Sequence, residues 1–83
     1  DMAPPRYIPR EIRVLANDPG EPISVHRSGH RRKVARILNS WRIDDEWWRD
    51  PLSRQYFQVE LEDGVIMTIF RDLISGLWYR QRY

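Results

Sequence analysis

The stretch Tyr56-Phe57-Gln58-Val59-Glu60-Leu61-Glu62-Asp63-Gly64-Val65-Ile66-Met67-Thr68-Ile69-Phe70 decides how this chain folds. Phe57, Val59 and Leu61 alternate with Tyr56, Gln58, Glu60 and Glu62, the period of two that marks a half-buried strand. Asp63-Gly64 then supplies the two-residue signal of a type I′ hairpin, and Val65 to Phe70 continues as strand. A two-residue turn pairs Glu62 with Val65. Counting outward, it sets Leu61 opposite Ile66, Val59 opposite Thr68 and Phe57 opposite Phe70, which makes that face the core. On the other face Tyr56, Gln58 and Glu60 stand opposite Arg71, Ile69 and Met67, with Tyr56 and Arg71 placed to stack.

Beyond the hairpin, Arg71-Asp72-Leu73-Ile74-Ser75-Gly76 reads as a loop into a last strand, Leu77 to Tyr83. There Leu77, Tyr79, Gln81 and Tyr83 take one face, and Trp78, Arg80 and Arg82 the other. Upstream, Glu11 to Leu15 is a short strand stopped by Asn17-Asp18-Pro19-Gly20. Ile23 and Val25 alternate in a second strand, and Ser28-Gly29 is a tight turn into the basic run Arg31-Arg32-Lys33. Val34, Ile37, Leu38 and Trp41 stand at helical spacing, yet the segment follows a hairpin turn and lacks a strong N-cap. A strand with a bulge near Ile37-Leu38 is preferred there, with one short helix as the alternative; such a bulge re-aims Trp41. Five or six antiparallel strands with tight turns predict an all-β domain, a small SH3-like barrel or a rolled sheet. Residues 1–9, with three prolines, read as a flexible or extended arm or a first edge strand, and residues 10–83 as the single domain.

The chain has 83 residues, a net charge of +2 and no cysteine. A domain of this size buries only about 60% of the surface its unfolded chain exposes. Without disulfides or thiolate metal sites, the four Trp, four Tyr and two Phe must carry the core. No apolar run reaches the length of a membrane span, and Asp1-Met2-Ala3-Pro4-Pro5 has no signal-peptide core. A soluble, cytoplasmic protein is expected. A start on Asp1 points to a processed chain or an excised domain.

The run WRIDDEWWR (41–49), followed by SRQYFQVELEDG (53–64), FRDL (70–73) and GLWYRQRY (76–83), resembles a small bacterial domain family of unassigned function. That family is found at the C-terminus of catalytically inactive, Y-family DNA-polymerase-like mutagenesis proteins and as short stand-alone proteins. The resemblance covers roughly residues 23 to 83 and implies a setting in DNA repair or damage tolerance. It brings no catalytic residues.

Chemistry-bearing patterns are few. Asp44, Asp45, Glu46 and Asp50 lack the glycine and alternating oxygen ligands of a calcium loop. Their partners by sequence are Arg42, Arg49 and Arg54. His26 and His30 can meet across the Ser28-Gly29 turn but lack a third zinc ligand. No serine stands in a nucleophile motif and no glycine-rich phosphate loop is present, so neither an enzyme nor a cofactor is expected.

A protein-interaction module is the leading reading, because exposed Trp, Tyr and Arg are the residues enriched at binding hot spots. Trp47, Trp48, Arg49, Tyr56 and Arg71 are its candidate contacts. Adjacent strand positions point to opposite faces, so one ring of the Trp47-Trp48 doublet is expected to join Trp41 in the core. The alternative is weak binding of nucleic acid through Arg31, Arg32, Lys33 and Arg36, with Trp78, Arg80 and Arg82 offering stacking beside positive charge. Acids at 44–46, 60, 62 and 63 oppose that reading. Thirteen of the fourteen basic residues are arginine, which suits ion pairs and cation–π contacts. The expected partner is another protein, a polymerase-like repair protein among the candidates, or a nucleic acid, and not a membrane.

Overall fold

The computed structural model describes residues 10–47 and 50–81, apart from the side chains of 45–47, 50 and 51. Seven antiparallel strands run in chain order: β1 (Arg10–Glu11), β2 (Val14–Ala16), β3 (Pro22–Arg27), β4 (His30–Trp47), β5 (Asp50–Leu61), β6 (Ile66–Asp72) and β7 (Trp78–Gln81). They form one sheet in the order β1-β7-β6-β5-β4-β3-β2. The class is all-β, as the alternation predicts, and the described residues contain no helix.

The two ends of that order, β1 and β2, are neighbours in sequence, separated only by Ile12 and Arg13. The sheet must therefore curl until its edges meet. The backbone N–H of Ile12 donates to the Trp78 carbonyl on one side (3.0 Å), and His26 N–H donates to the Arg13 carbonyl on the other (2.8 Å). What the sequence presents as one strand, Glu11 to Leu15, thus bends and serves both edges of a rolled, barrel-like sheet.

Inside lie Val25, Phe57, Val59, Leu61, Met67, Ile69 and Trp78, all buried, with Ile12, Val14, Ala16, Val34, Ile37 and Val65 packed around them. Phe57 and Trp78 meet with ring centroids 5.8 Å apart. Alternation on β5 puts Phe57, Val59 and Leu61 inward as expected, but β6 differs by one residue. Glu60 pairs with Ile66, Val59 with Met67, Phe57 with Ile69 and Tyr56 with Phe70. The turn is the cause. Gly64 N–H donates to the Leu61 carbonyl (2.9 Å) and Leu61 N–H to the Val65 carbonyl (2.8 Å), so three residues, Glu62 to Gly64, close the loop with Gly64 at φ 88°. A one-residue slip exchanges the faces of a strand: Met67 and Ile69 enter the core, and Ile66 turns outward.

The Ser28-Gly29 turn is as expected. Both residues have positive φ, 52° and 79°, and Arg27 pairs with His30 across it. His26 pairs with Arg31 and not with His30, so the two histidines stand on opposite faces and do not meet. Val34 to Trp41 is strand throughout, with register shifts between Val34 and Arg36 and between Ile37 and Asn39. Each shift inserts one extra residue, so Val34, Ile37 and Ser40 all face the interior at a spacing of three. Two bulges in succession explain the helix-like periodicity. They also leave Trp41 outside, where a single bulge would have turned it inward.

Candidate interaction site

β4 and β5 pair from Val34↔Leu61 to Trp47↔Asp50, whereas β5 and β6 stop at Arg54↔Asp72. Past that rung the hairpin is a two-stranded ribbon. On its other side β4 pairs with β3 only through His30 to Lys33. Among the described residues, no strand covers the outer edge of β4 from Val34 to Trp47. The ribbon therefore offers a row of backbone donors and acceptors to solvent, with Leu38 and Ile43 exposed beside it.

Asp44 ties the ribbon together. The Ser53 hydroxyl donates to its Oδ1 (2.6 Å) from the facing position on β5, and Arg42 Nε donates to its Oδ2 (2.7 Å) from two residues earlier. These bonds, Ser53 first and then Arg42, favour the carboxylate over its neutral form and lower the Asp44 pKa against a small opposing effect of desolvation. Asp44 is thus an ion-pair partner of Arg42, as its spacing favours, while the side chains of Asp45, Glu46 and Asp50 lie outside the described ones. Among the described residues, no three His, Cys, Asp or Glu side chains gather closely enough to hold a metal ion.

The outer face carries a row of four rings. Trp41 stacks on Tyr56 (centroids 5.3 Å, planes 3° apart), Tyr56 meets Phe70 (5.0 Å), and Phe70 meets Tyr79 (5.2 Å). Each pair is a direct cross-strand pair, so the row spans β4, β5, β6 and β7. The Arg54 guanidinium sits 4.4 Å from the centre of the Phe70 ring and donates from Nη1 to the Tyr56 hydroxyl (3.1 Å). Tyr56 is consequently buried. Arg71 does not stack on it, because the true register places them on opposite faces; Arg71 lies instead 6.0 Å over Trp78. Trp41 is half-buried on this outer row and does not close the core.

The chain matches no known family model, no curated protein and no solved structure. Its own geometry is what remains to weigh the candidates. Of the interaction set, Trp48 and Arg49 lie outside the described residues, and Trp47 is placed by its backbone alone at the last rung of the ribbon. Of the basic set, Arg31 and Lys33 are exposed. Arg36 Nε is bound to Glu60 (2.6 Å), and Arg27 and Arg32 both reach Asp63 (3.6 and 3.7 Å). Glu62 accepts from the Lys33 backbone N–H (3.2 Å). Trp78 is a core residue, Arg80 is half-buried on the same strand, and Arg82 lies outside the described residues.

At the open end of the roll, Arg42, Gln55, Phe57 and Arg71 face the 17–21 turn across a cleft of about 330 Å³, with Glu21 on the far wall. Two features escaped the sequence reading: the aromatic row and the uncovered β4 edge. The row needed the correct turn length, and the edge needed the sheet order. No described helix is long and apolar enough to cross a membrane.

Proposed function

We propose that this chain is a non-catalytic protein-interaction module that works through the β4 edge and its ribbon. The edge that no other described strand covers is the observation that carries the reading. A two-stranded ribbon is marginal alone in water, and an unpaired edge is a template for another extended segment. Backbone hydrogen bonds along such an edge give affinity, and the side chains beside it give selectivity. The Trp47 backbone stands at the last described rung of the ribbon, and Trp47, Trp48 and Arg49 are the proposed anchors. The resemblance to domains at the end of polymerase-like proteins supports a setting in bacterial DNA repair or damage tolerance, with such a protein as a candidate partner.

Nucleic-acid binding has less behind it. The acids on β5 and its turn neutralise three arginines near the basic run, and the tryptophan proposed for base stacking is in the core. Two measurements test the proposal. A photo-reactive residue at Leu38 or Ile43 should give discrete protein adducts in cells, whereas one at Gln58 or Thr68, on the outer face away from the edge, should not. Labelled single- and double-stranded DNA should show no salt-sensitive anisotropy change. Adducts that are equal at all four positions, together with salt-dependent DNA binding, would replace this reading with the nucleic-acid one.

A further inference from the structure

We infer that the β4 edge is occupied by a second copy of this chain, paired antiparallel about a two-fold axis at Ile43. The inference rests on the interaction-module reading and names its partner. Three observations carry it.

The first is where the edge is regular. The two bulges fall between Val34 and Asn39, and bulges spoil an edge for further pairing. From Ser40 to Trp47 the β4–β5 register runs without a shift. The stretch able to accept a new strand is therefore 40–47.

The second is the charge order within it. Arg42 and Asp44 flank Ile43, and all three are exposed. Charges on an edge normally discourage pairing, since a strange strand seldom brings the matching sign. A second copy brings it by symmetry. With Ile43 opposite Ile43 of the other copy, Arg42 stands opposite Asp44 and Asp44 opposite Arg42, so two complementary pairs bracket one apolar contact. Moving the axis to Arg42 or to Asp44 sets like charges directly opposite. An axis at Trp41 avoids that but sets Arg42 opposite Ser40, so the Ile43 register is the one that brings Arg42 and Asp44 opposite each other.

The third is the state of the charges. Asp44 is held ionised by Ser53 and Arg42, and Arg42 contributes Nε and Nη2 to it from the same strand. The two side chains are already aligned on one face. Each needs only a small reorientation to share its partner with the neighbouring copy. In the resulting sheet, two copies of β5-β4 lie side by side, and each marginal ribbon gains a neighbour along its uncovered side.

The test uses charge reversal in two complementary variants, followed by sedimentation velocity over a wide range of protein concentration. The natural chain should show a concentration-dependent shift to twice the single-chain mass. Arg42→Asp and Asp44→Arg should each weaken self-association by roughly tenfold or more, because each sets like charges opposite. Mixing the two variants should restore the dimer, since each then faces its complement. Restoration on mixing cannot come from the Arg42–Asp44 pair within one chain, which stays broken in both variants. Circular dichroism of each variant verifies that the fold is retained.

A natural chain that stays monomeric at every concentration overturns self-pairing, as does a dimer that neither variant weakens or that mixing fails to restore. The cross-linking test separates the two proposals: adducts to a different protein from Ile43, with a monomeric natural chain, leave the interaction module standing without the two-fold pairing.

Discussion

The β5–β6 register makes opposite demands on two adjacent residues, so the pair Ile66→Ala and Met67→Ala tests it directly. In the structure Met67 is 5% exposed against the core, whereas Ile66 is 55% exposed on the outside. Met67→Ala removes three heavy atoms from a packed site. Such truncations cost about 2–5 kcal/mol, and the neighbouring turn allows some collapse, which places the expected loss at about 2–3 kcal/mol. Ile66→Ala loses side-chain surface that is already more than half in water, plus some strand propensity, for about 1 kcal/mol or less. A domain of this length has about 4–12 kcal/mol in total, so the first loss is large and measurable. Urea unfolding followed by tryptophan fluorescence is the assay. With a slope near 1 kcal/mol per M, the midpoint should fall by about 2 M for Met67→Ala and by less than about 1 M for Ile66→Ala. Met67→Leu, which conserves volume, should cost under about 1.5 kcal/mol and guards against a variant too unstable to measure. If Ile66→Ala proves as costly as Met67→Ala, or more so, the two-residue turn and its register are correct and the inward face of β6 has been misassigned.

Gly64→Ala, at φ 88° with open space around the position, should cost about 1–2 kcal/mol from backbone strain alone, and Gly64→Asn less; equal costs in urea unfolding would show that something other than φ is responsible. Arg54→Ala removes a cation–π contact and the bond to the Tyr56 hydroxyl and should lower stability by about 1–2 kcal/mol, with Arg54→Lys recovering only part because ammonium lacks the planar fork; full recovery would assign the effect to charge alone. Asp44 should titrate below the usual aspartate value in a carboxyl-carbon NMR titration, and Ser53→Ala should move its midpoint up. Because the folded-state pKa is lowered, the stabilising contribution is present above the unfolded value and is lost as pH falls through the folded one; a midpoint indifferent to Ser53→Ala would break the link to that hydroxyl.

What could be read from the residues alone divides along a physical line. Local alternation reports which residues form strands, and it places Phe57, Val59 and Leu61 inward correctly because that parity depends on nothing outside β5. Pairing between strands depends on the turn, and Glu62-Asp63-Gly64 is compatible with either a two-residue or a three-residue closure. The glycine serves both, so one residue of register, and with it the face of every β6 side chain, stays hidden. The aromatic row disappears with it, since Tyr56 faces Phe70 only after the slip. Val34 to Trp41 was ambiguous for a different reason: two bulges stretch the inward spacing from two to three residues, close enough to the helical period to imitate it. The uncovered edge was the least legible feature, because whether a strand has a second neighbour depends on how far β3 follows β4, and nothing within β4 records that.

The two bulges also explain why one strand can serve both the core and an edge. In β4 the segment up to Asn39 belongs to the roll: Val34 and Ile37 pack on Leu61 and Val59, and the bulges add the local twist that a curled sheet needs. After the second bulge the strand, already without β3 since Lys33, runs regularly and has inward positions filled by Ser40, Arg42 and Asp44 in place of aliphatic residues. The polar inward positions come where the hairpin runs out past β6, whose pairing with β5 ends at Arg54, opposite Ile43, and they keep the ribbon in water without collapse onto the core. An edge so composed is protected from indiscriminate pairing by its charges and open to one partner whose charges run in the opposite order. Burying Arg42 and Asp44 at a new interface without complementary charge would leave each of them poorly compensated. The selectivity of the edge therefore lies in the order Arg42-Ile43-Asp44. Exchanging Arg42 and Asp44 in one chain should preserve self-pairing while abolishing pairing with the natural chain.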